Sequence, residues 1–504
     1  LIFTYNFNEK TAGLLHYLDQ QINVFVPRTI TIDSNEYFIT NIQPFCFDYE
    51  SGLRSIEFPE DSKLQIIGKW SFFNTGLERI SFPSSLTKIN DHAFKYCDGI
   101  KSIEFSDKID SITFEKKSFQ YFGKIPISIK ANSVIIKEKA FENSKVTQFS
   151  IDAKKVEIGQ LAFYLSKKIK KLTISEETQN LEISKEAFRG SSIECVSILA
   201  KNSFIENNAF SGCSKLDQIE FSDKSESLTI DMFAFSSTSV ASVLFPSKKT
   251  QLLEHCFRSC GNLRLVEFKG EFVSINSCSF ADTLVQFISI DSPNIELNDG
   301  WGFSTGKLID INISNNSNFK FYKMELLFEK SNPENDKYDA LTFAKRDIVN
   351  VQVPSFIRKI RDNAFNSCGS IQKVEFLPNS ELEIVDSYSF SFSSVRSITF
   401  PPSVKEIRKL AFLNCGNLES IQFCENSKLN VIEDDAFNDS SLRSLSIPSS
   451  ISHLGAEFCS CIQYLTDIKV IQNDQKNIQF FDNNFIIGKS DLKSDIYDIL
   501  YFAR

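Results

Sequence analysis

Histidine and cysteine residues that lie close together are the first candidates for chemistry in this sequence. Two clusters occur, and they contain His255, Cys256 and Cys260, and His453, Cys459 and Cys461. A structural zinc site needs four histidine or thiolate ligands that converge on one point. Cys260 and Cys461 also belong to a repeated column of small residues, described below. We therefore interpret these thiols as small core residues and predict no metal site.

A phosphate-binding loop is the second candidate, because Gly-Lys-Ser occurs in the stretch IIGKS at 486–490. Such a loop also requires an earlier glycine and a glycine-rich turn, and Asn483 stands at the glycine position. The four histidines accompany no nucleophile motif such as Gly-x-Ser-x-Gly. We therefore predict no catalytic residue, no cofactor and no enzymatic activity.

Charge and hydrophobicity restrict the class of partner. The formal net charge is -9 and the sequence pI is about 5.3. A surface that binds the phosphate backbone needs a basic stripe, and the sequence contains none, so we exclude nucleic acid. No run approaches the roughly 18 apolar residues of a membrane-spanning helix, and we predict no membrane span in this chain.

The elements that hold these residues repeat along the chain. HAFKYCDGIKSIEF at 92–105 returns as NAFSGCSKLDQIEF at 208–221, NAFNSCGSIQKVEF at 363–376 and LAFLNCGNLESIQF at 410–423. We call the phenylalanine after the alanine the anchor, and successive anchors lie 22 or 25 residues apart almost throughout. The seventeen anchors are Phe47, Phe72, Phe94, Phe119, Phe141, Phe163, Phe188, Phe210, Phe235, Phe257, Phe280, Phe303, Phe365, Phe390, Phe412, Phe437 and Phe458. Such a period is typical of a solenoid, whose short units bury their apolar faces only by stacking.

The pattern around each anchor predicts strands. An apolar residue lies five positions before the anchor, as at Ile89, and an L-x-x-I-x-F stretch follows it, as at Leu216, Ile219 and Phe221. The last two positions of that stretch alternate as in a strand with one buried face, and proline often ends it, as at Pro83. We predict that each coil adds a rung to a parallel sheet, about 4.8 Å from the next, and that the anchors form a stacked column inside.

Paired helices of the HEAT or armadillo type are the alternative, because two coils together span 47 residues. The segments lack apolar residues at i, i+3, i+4 and i+7, and they are rich in Ile, Phe, Ser and Thr. Both features favour strands over helices.

The position three residues after the anchor carries cysteine in some coils and mostly serine or threonine in the others. The cysteines are Cys97, Cys213, Cys260, Cys368, Cys415 and Cys461. No two of them fall in adjacent coils, and coils two apart place Cα atoms about 10 Å from each other. Because a disulfide needs Cα atoms within about 7 Å, we predict that these cysteines are reduced.

The full pattern, I-x-x-x-A-F-x-x-C-x-x-L-x-x-I-x-F-P, resembles the BspA-type leucine-rich repeats, a family of surface proteins in bacteria and parasitic protists. The resemblance covers about residues 41–470, and residues 9–42 resemble the N-terminal capping segment of the family. It implies a horseshoe-like solenoid, a binding or adhesive role at the cell surface or outside the cell, and no shared catalytic residues.

We therefore expect a repeat solenoid of the leucine-rich-repeat type, mainly β, with about 17 coils of 22 to 25 residues. A parallel sheet forms one face, and short strands and turns form the other. The expected segments are a cap at 1–40, a solenoid at 41–313, an irregular interruption at 314–346, further repeats at 347–471 and an irregular segment at 472–504.

The interruption has a twin in the sequence. Residues 319–344 match residues 478–503 at a constant offset of 159. After the first copy, new coils begin at 347–360, whereas the second copy ends at Arg504. We expect the native chain to continue past Arg504 with a segment like 347–360.

Two functions are compatible with these features. The first is a non-enzymatic adhesin or antigen, on the cell surface or secreted, that binds proteins or glycans of a host cell or its matrix. The second is an intracellular, cytoplasmic scaffold for protein interactions, which the unpaired thiols favour. The glycosylation sequons at Asn312, Asn315 and Asn438 matter only in a secretory compartment. The repeats themselves specify neither the ligand nor the oligomeric state.

Most outward positions of the predicted strands are polar, but Leu244, Leu265 and Phe287 place apolar residues there in three consecutive coils. We predict that they form a ligand-binding apolar patch close to Trp301. The alternative is that they are ordinary exposed residues, or that Phe287 lies in the core because its coil bulges.

Overall fold

The computed structural model describes residues 1–17, 21–314, 316–334, 336–471, 477–481, 485–489, 492–493, 496 and 499–503. None of these residues belongs to an α-helix, and every regular element is a β-strand. The chain divides into two compact units, Leu1–Ser274 and Ile275–Arg504. Each unit is a stack of β coils, which confirms the predicted solenoid and rules out paired helices.

Each coil of the first unit has a first strand, a turn that carries the anchor, and a second strand. One example has Lys88–Ile89 before the turn of Phe94 and Ser102–Phe105 after it. The second strand pairs in parallel with Arg79–Phe82 one coil earlier. Since equivalent residues of successive repeats stand opposite each other, the strands form parallel ladders as predicted.

The strands of the first unit fall into four sets. The first strands are Asn35–Ile42, Ile66–Ile67, Lys88–Ile89, Ser111–Phe114, Asn180–Ile183, Asn202–Ile205, Ser227–Ile230, Lys249–Leu252 and Phe272–Ile275. The second strands are Asn23–Phe25, Ser55–Glu57, Arg79–Phe82, Ser102–Phe105, Lys171–Ile174, Cys195–Ile198, Gln218–Phe221, Ser242–Phe245 and Leu265–Lys269. Pro126–Ile136 and Gln148–Ile158 are long strands that serve both positions, and Ile2–Asn6, Thr11–His16 and Thr29–Ile32 precede the coils.

The strands of the second unit fall into three sets. The first strands are Asn294–Leu297, Lys359–Ile360, Ile384–Val385, Glu406–Ile407, Val431–Ile432 and His453–Leu454. The second strands are Phe287–Asp291, Asp310–Ser314, Asn350–Val353, Lys373–Phe376, Ser397–Thr399, Ser420–Gln422, Ser444–Pro448 and Asp467–Ile471. The remaining strands are Phe319–Tyr322, Leu326–Glu329, Ala340–Ala344, Ile478–Phe481, Phe485–Gly488 and Ile499–Ala503.

The two twin segments fold alike. Leu326–Glu329 pairs antiparallel with strands on both sides, and Leu326 stands opposite Ala344. In the second copy Phe485 stands opposite Ala503, and the register shifts at the equivalent residue pair. Ala340–Ala344 also pairs in parallel with Lys359–Ile360, so the interruption supplies a rung to the coils that follow.

The described chain contains about 20 turns, slightly more than the expected 17. The number of anchors is smaller than the number of turns, because segments without an anchor also add strands to the stack. Thr11–His16 pairs in parallel with Asn35–Ile42 before the first anchor, just as Ala340–Ala344 pairs with Lys359–Ile360 after the interruption.

The anchor phenylalanines form the predicted stacked column. From Phe47 to Phe257 in the first unit, neighbouring ring centroids lie 4.7–5.2 Å apart and the ring planes are within 15° of parallel. In the second unit the Phe365 and Phe390 rings are 4.7 Å apart, and the Phe390 and Phe412 rings are 4.9 Å apart. Each buried ring contributes about 4 to 6 kcal/mol gross, before the cost of chain entropy.

Two of the predicted anchors are wrong. Phe303 is only half-buried, and Trp301, two residues earlier, is the buried side chain of that coil. In the last coil Phe437 N donates to Phe458 O, whereas Phe412 N donates to Ala436 O, so Phe458 takes the alanine position. Cys459 is therefore the buried anchor, and Cys461 is exposed rather than part of the core column.

Candidate functional site

The remaining column cysteines are structural. Cys97 Sγ donates to Phe72 O at 2.9 Å and lies 3.4 Å from Thr75 Oγ1. The same donation to the preceding anchor carbonyl occurs at Cys213, Cys260 and Cys415. Burial raises the pKa of the Cys97 and Cys213 thiols to about 11 and that of Cys415 to about 12. These thiols stay protonated as hydrogen-bond donors, and all twelve cysteines are free.

The candidate metal and phosphate residues are dispersed. His453 is exposed on its strand while Cys459 is buried, and Cys256 and Cys260 are both buried in the core. Over the described ranges, no group of three His, Cys, Asp or Glu side chains is placed to hold a metal ion. Gly488 ends an antiparallel strand, and Asn483 and Ser490 lie outside the residues that the structure describes.

The predicted sheet residues are solvent-exposed. Leu244 is 40% exposed, Leu265 36% and Phe287 43%. In the first unit Leu244 stands opposite Glu267, and Leu265 stands opposite Ser242, so the two leucines are diagonal rather than direct neighbours. In the second unit Phe287 opens its strand opposite Asp310 and does not lie in the core.

A larger exposed apolar surface lies on the turns of the first unit. We call it the aromatic turn face, and it comprises Phe45, Tyr49, Trp70, Phe73, Tyr96 and Tyr121. Four of its members are exposed, with Tyr49 the most at 64%. Leu244 and Leu265, the predicted patch residues of this unit, are fewer and are not direct neighbours.

The turn backbone holds these side chains outward. Residues two before and two after the anchor adopt left-handed φ, such as 60° at Trp70 and 63° at Tyr96. Tyr49 N donates to Phe73 O at 2.8 Å and Tyr96 N donates to Gln120 O at 3.1 Å, in the next coil. A left-handed conformation costs a non-glycine residue about 1–2 kcal/mol, which these hydrogen bonds between coils offset.

The rings of the aromatic turn face touch from coil to coil. Phe73 is the hub, because its centroid lies 5.1 Å from Tyr49, 4.7 Å from Trp70 and 5.7 Å from Tyr96. The Tyr96 and Tyr121 rings are stacked at 4.9 Å. Tyr49, Tyr96 and Tyr121 remain exposed despite these contacts, and tyrosine combines apolar area with a hydrogen-bonding group.

Two polar residues complete this surface. The His92 ring stacks on Trp70 with centroids 4.1 Å apart, and burial and then Lys95 lower the pKa of His92 to about 4. His92 is therefore neutral near pH 7 and acts as a flat ring. Lys95 Nζ lies 5.8 Å from the Trp70 centroid and 5.1 Å from the Tyr96 centroid, within cation–π range.

The aromatic turn face was not among the predicted sites, although the sequence contains a signal for it. Phe45 and Trp70 lie two residues before successive anchors, and Tyr49, Tyr96 and Tyr121 lie two residues after anchors. Aligning these flanking positions, as well as the anchors and strands, would have placed them on one surface.

The chain matches a model of the BspA type leucine rich repeat region. The matched residues are 28–134, 113–182, 134–263, 181–309 and 337–488. No curated protein matches the chain. In the described part of the chain, no helix has the length and apolar character to cross a bilayer.

Solved structures with similar folds include bacterial leucine-rich repeat proteins. A leucine rich cell surface protein of Faecalibacterium prausnitzii A2-165 is 17% identical, with 94% of each chain covered and a TM-score of 0.34. A leucine-rich repeat protein of Bacteroides ovatus ATCC 8483 is 18% identical, with 93% of this chain and 98% of that chain covered and a TM-score of 0.47. The pneumococcal vaccine antigen PcpA is 16% identical, with 93% and 84% covered and a TM-score of 0.33.

Proposed function

We propose, from the premise that the chain belongs to the BspA type leucine rich repeat family, that it is a non-enzymatic adhesin. As a leucine-rich repeat protein it is a scaffold for protein interaction. The finer proposal is that it acts at the cell surface or outside the cell and binds proteins or glycans of a host cell or its matrix.

The aromatic turn face carries this proposal. Tyrosine and tryptophan are enriched among the residues that dominate binding energy at protein interfaces. Here Tyr49 and Tyr96 are exposed, and Trp70 is flanked by Phe73 and Lys95. Bulky aromatic residues in left-handed turns carry a conformational cost that smaller residues such as Asn would reduce, which favours a functional reason for their presence.

A cytoplasmic scaffold is the alternative, and free thiols are the observation that favours it. Antibody labelling of intact cells distinguishes the cell surface from the cytoplasm. An antibody against the folded protein labels intact, unpermeabilised cells if the protein is displayed. Asn312 is an exposed sequon, so its glycosylation would also indicate passage through a secretory compartment.

Attachment of the purified protein to host cells or to immobilised matrix tests the binding surface. The variant is Tyr49→Asn with Tyr96→Asn, because asparagine tolerates left-handed φ and should preserve the turns. Phe392→Asn is the matched control, since Phe392 is 46% exposed with a φ of 58° in the second unit.

We expect the double variant to lose at least about tenfold in attachment, as for a hot-spot aromatic pair, and the control to retain it. Unfolding curves should remain close to that of the parent protein for both. Equal attachment by all three proteins would contradict the aromatic turn face as the binding surface.

A further inference from the structure

A pocket of about 240 Å³ lies on the turns of the second unit, between the coils of Phe303 and Asn363. Gly300 opens it, because this residue has a φ of 78° and carries no side chain where Asn363 and Tyr388 carry one in later coils. A Cβ at Gly300 would lie only 2.5 Å from Ser277 Oγ. Small-molecule sites usually measure about 300 to 1,000 Å³, so this pocket suits a single side chain.

Two acceptor groups in the pocket wall lack partners. Asn363 is only 3% exposed, and its Oδ1 accepts no hydrogen bond from the described residues. The Oδ1 of the neighbouring Asp362 also has no partner there. A buried polar atom without a partner costs about 1–3 kcal/mol, and a small rotation of the Asp362 side chain toward a ligand with N–H donors would relieve that cost.

The nearby arginines are engaged elsewhere. Arg361 pairs with Asp299 at 2.6 Å and with Glu329 at 3.0 Å. Arg408 pairs with Asp386 at 2.9 Å. The carboxylate of Asp362 therefore has no ion pair with a cation among the described residues.

The other walls suit an organic cation. The Phe303 and Tyr388 rings meet edge to face, with centroids 5.9 Å apart, and both line the pocket. The Asp362 carboxylate has a hydrogen bond from the Asn363 side chain but no ion pair. Aromatic walls beside a carboxylate without an ion pair are the combination that attracts ammonium and guanidinium groups. A metal ion fits less well, since no set of three ligating side chains is found in the described part.

We propose that this pocket binds the ammonium or guanidinium end of a basic side chain of a protein partner. This inference rests on the proposed binding function and specifies one anchor residue of the partner. The cation would lie against the Tyr388 and Phe303 rings and form an ion pair with the carboxylate of Asp362.

The charge state of Asp362 gives the interaction a pH dependence. Burial, followed by Asp299 and Asp386, raises the pKa of Asp362 to about 7. The charged groups that face this carboxylate are Asp299, Asp386 and Arg361, and Tyr388 and Cys278 are the other titratable groups of the pocket. The ionised fraction falls from about nine-tenths at pH 8 to about 3% at pH 5.5, so binding should weaken about 30-fold between them.

The experiment measures binding of n-butylammonium and methylguanidinium to the whole chain by nuclear magnetic resonance, with n-butanol as the uncharged probe. We expect saturable binding of both cations at pH 8 and none of n-butanol. Asp362→Asn should weaken binding of both cations at least about tenfold. Asp439 is an exposed carboxylate in a later turn, and Asp439→Asn should leave cation binding unchanged.

A second variant tests the pocket independently, in case Asp362→Asn impairs folding. Tyr388→Leu keeps the carboxylate and removes the aromatic wall, and we expect a several-fold loss of cation binding. Binding of n-butanol as strong as that of n-butylammonium would overturn the inference, as would cation binding that Asp362→Asn leaves intact. Because the probes are small molecules, this result is independent of cell attachment and separates this inference from the proposed function.

Discussion

Among the described residues, the regular stack of the first unit has no charged side chain with a buried unpaired atom, whereas the second unit has two near its interruption. In the stack, Cys97 Sγ donates to Phe72 O, and the same bond recurs at equivalent residues of later coils. Arg346 at the end of the interruption and Asp362 in the coil that follows each have a buried atom without a partner. They are the only Asp, Glu, Lys or Arg residues of which this is true in the described ranges.

The difference follows from the period. Where each coil repeats the last, a donor in one coil faces the same acceptor in the next, so one favourable pairing recurs along the column. Where the period breaks, unrelated residues meet. Arg346 there donates to the backbone carbonyls of Gly302, Asn363, Ala364 and Ala344, with no carboxylate beside it. Breaks in the repeat are thus where ligand chemistry can arise.

The largest expected effect tests the regular stack. Phe188→Ala removes a ring that stacks at 4.7 Å on Phe163 and at 4.9 Å on Phe210. We expect a loss of about 3–5 kcal/mol, because the neighbouring coils cannot close the cavity. Urea unfolding followed by tryptophan and tyrosine fluorescence measures it.

Phe437→Ala tests a less regular position of the phenylalanine stack. Phe437 is tilted 33° from Phe412 at 5.6 Å, and Cys459 rather than a ring follows it in the stack. We expect about half the loss seen for Phe188→Ala, since fewer ring contacts disappear. Equal losses would show that the regularity of the stack adds little to stability.

The next effect concerns the interruption. Arg346→Leu removes one of the two donors to each of the carbonyls of Gly302, Asn363 and Ala364. The other donors, which are Thr305 Oγ1, Asn366 N and Ala344 N, remain. We therefore expect a loss of about 1–3 kcal/mol. Arg346→Lys should lose less, because a lysine still donates to some of these carbonyls. Chemical unfolding of the parent and the two variants measures the order of their stabilities. A leucine variant as stable as the parent would contradict the stabilising role of Arg346.

Much of the regular fold could be predicted because a repeated residue type has the same neighbour in every coil. The Phe163 column, the parallel strands and the buried thiols all follow from the period alone. The last anchor could not be placed this way. Phe458 lies 21 residues after the anchor Phe437, close to the usual period, but the backbone register places it at the alanine position and Cys459 at the anchor position.

The sites were harder to predict for a different reason. The environment of Asp362 depends on Gly300 and Tyr388, which meet it only because the coil after the interruption stacks on the coil before it. No local pattern encodes that long-range contact. The aromatic turn face could have been predicted, because Tyr96 and Tyr121 hold equivalent positions in neighbouring coils.

A smaller effect on the free energy of unfolding is expected at Asp362, and this effect depends on pH. The pKa of this carboxyl is about 7 in the folded chain, against an ordinary value of 3.8. As pH rises from about 4 to 7, the unfolded chain ionises before the folded chain does, so the parent protein loses stability across that window. Asp362→Asn lacks this cost and should be more stable at pH 8 by on the order of 2 kcal/mol.

Thermal unfolding at pH 8 and pH 4 tests this sign. The stabilisation by Asp362→Asn should fade as the pH falls through the window and be mostly gone near pH 4, where the folded parent is protonated and the unfolded parent is only about half ionised. Asp439→Asn serves as the control at each pH. A variant that destabilises the protein at pH 8 would contradict an unpaired Asp362.

The smallest expected effects on stability are at Leu244, Leu265 and Phe287, the apolar residues that the sequence pattern assigned to a binding patch. Leu265→Ser and Phe287→Ser should each change the unfolding free energy by no more than about 0.5 kcal/mol, because both side chains are exposed.

We propose that these exposed side chains contribute to ligand binding, so the two changes together should weaken attachment to host cells or matrix. Leu244→Ser tests the remaining position separately, since Glu267 rather than Leu265 is its direct neighbour. Attachment that survives all three changes but not Tyr49→Asn with Tyr96→Asn would assign binding to the turns. A large loss of stability would instead show that these sheet side chains are needed for packing.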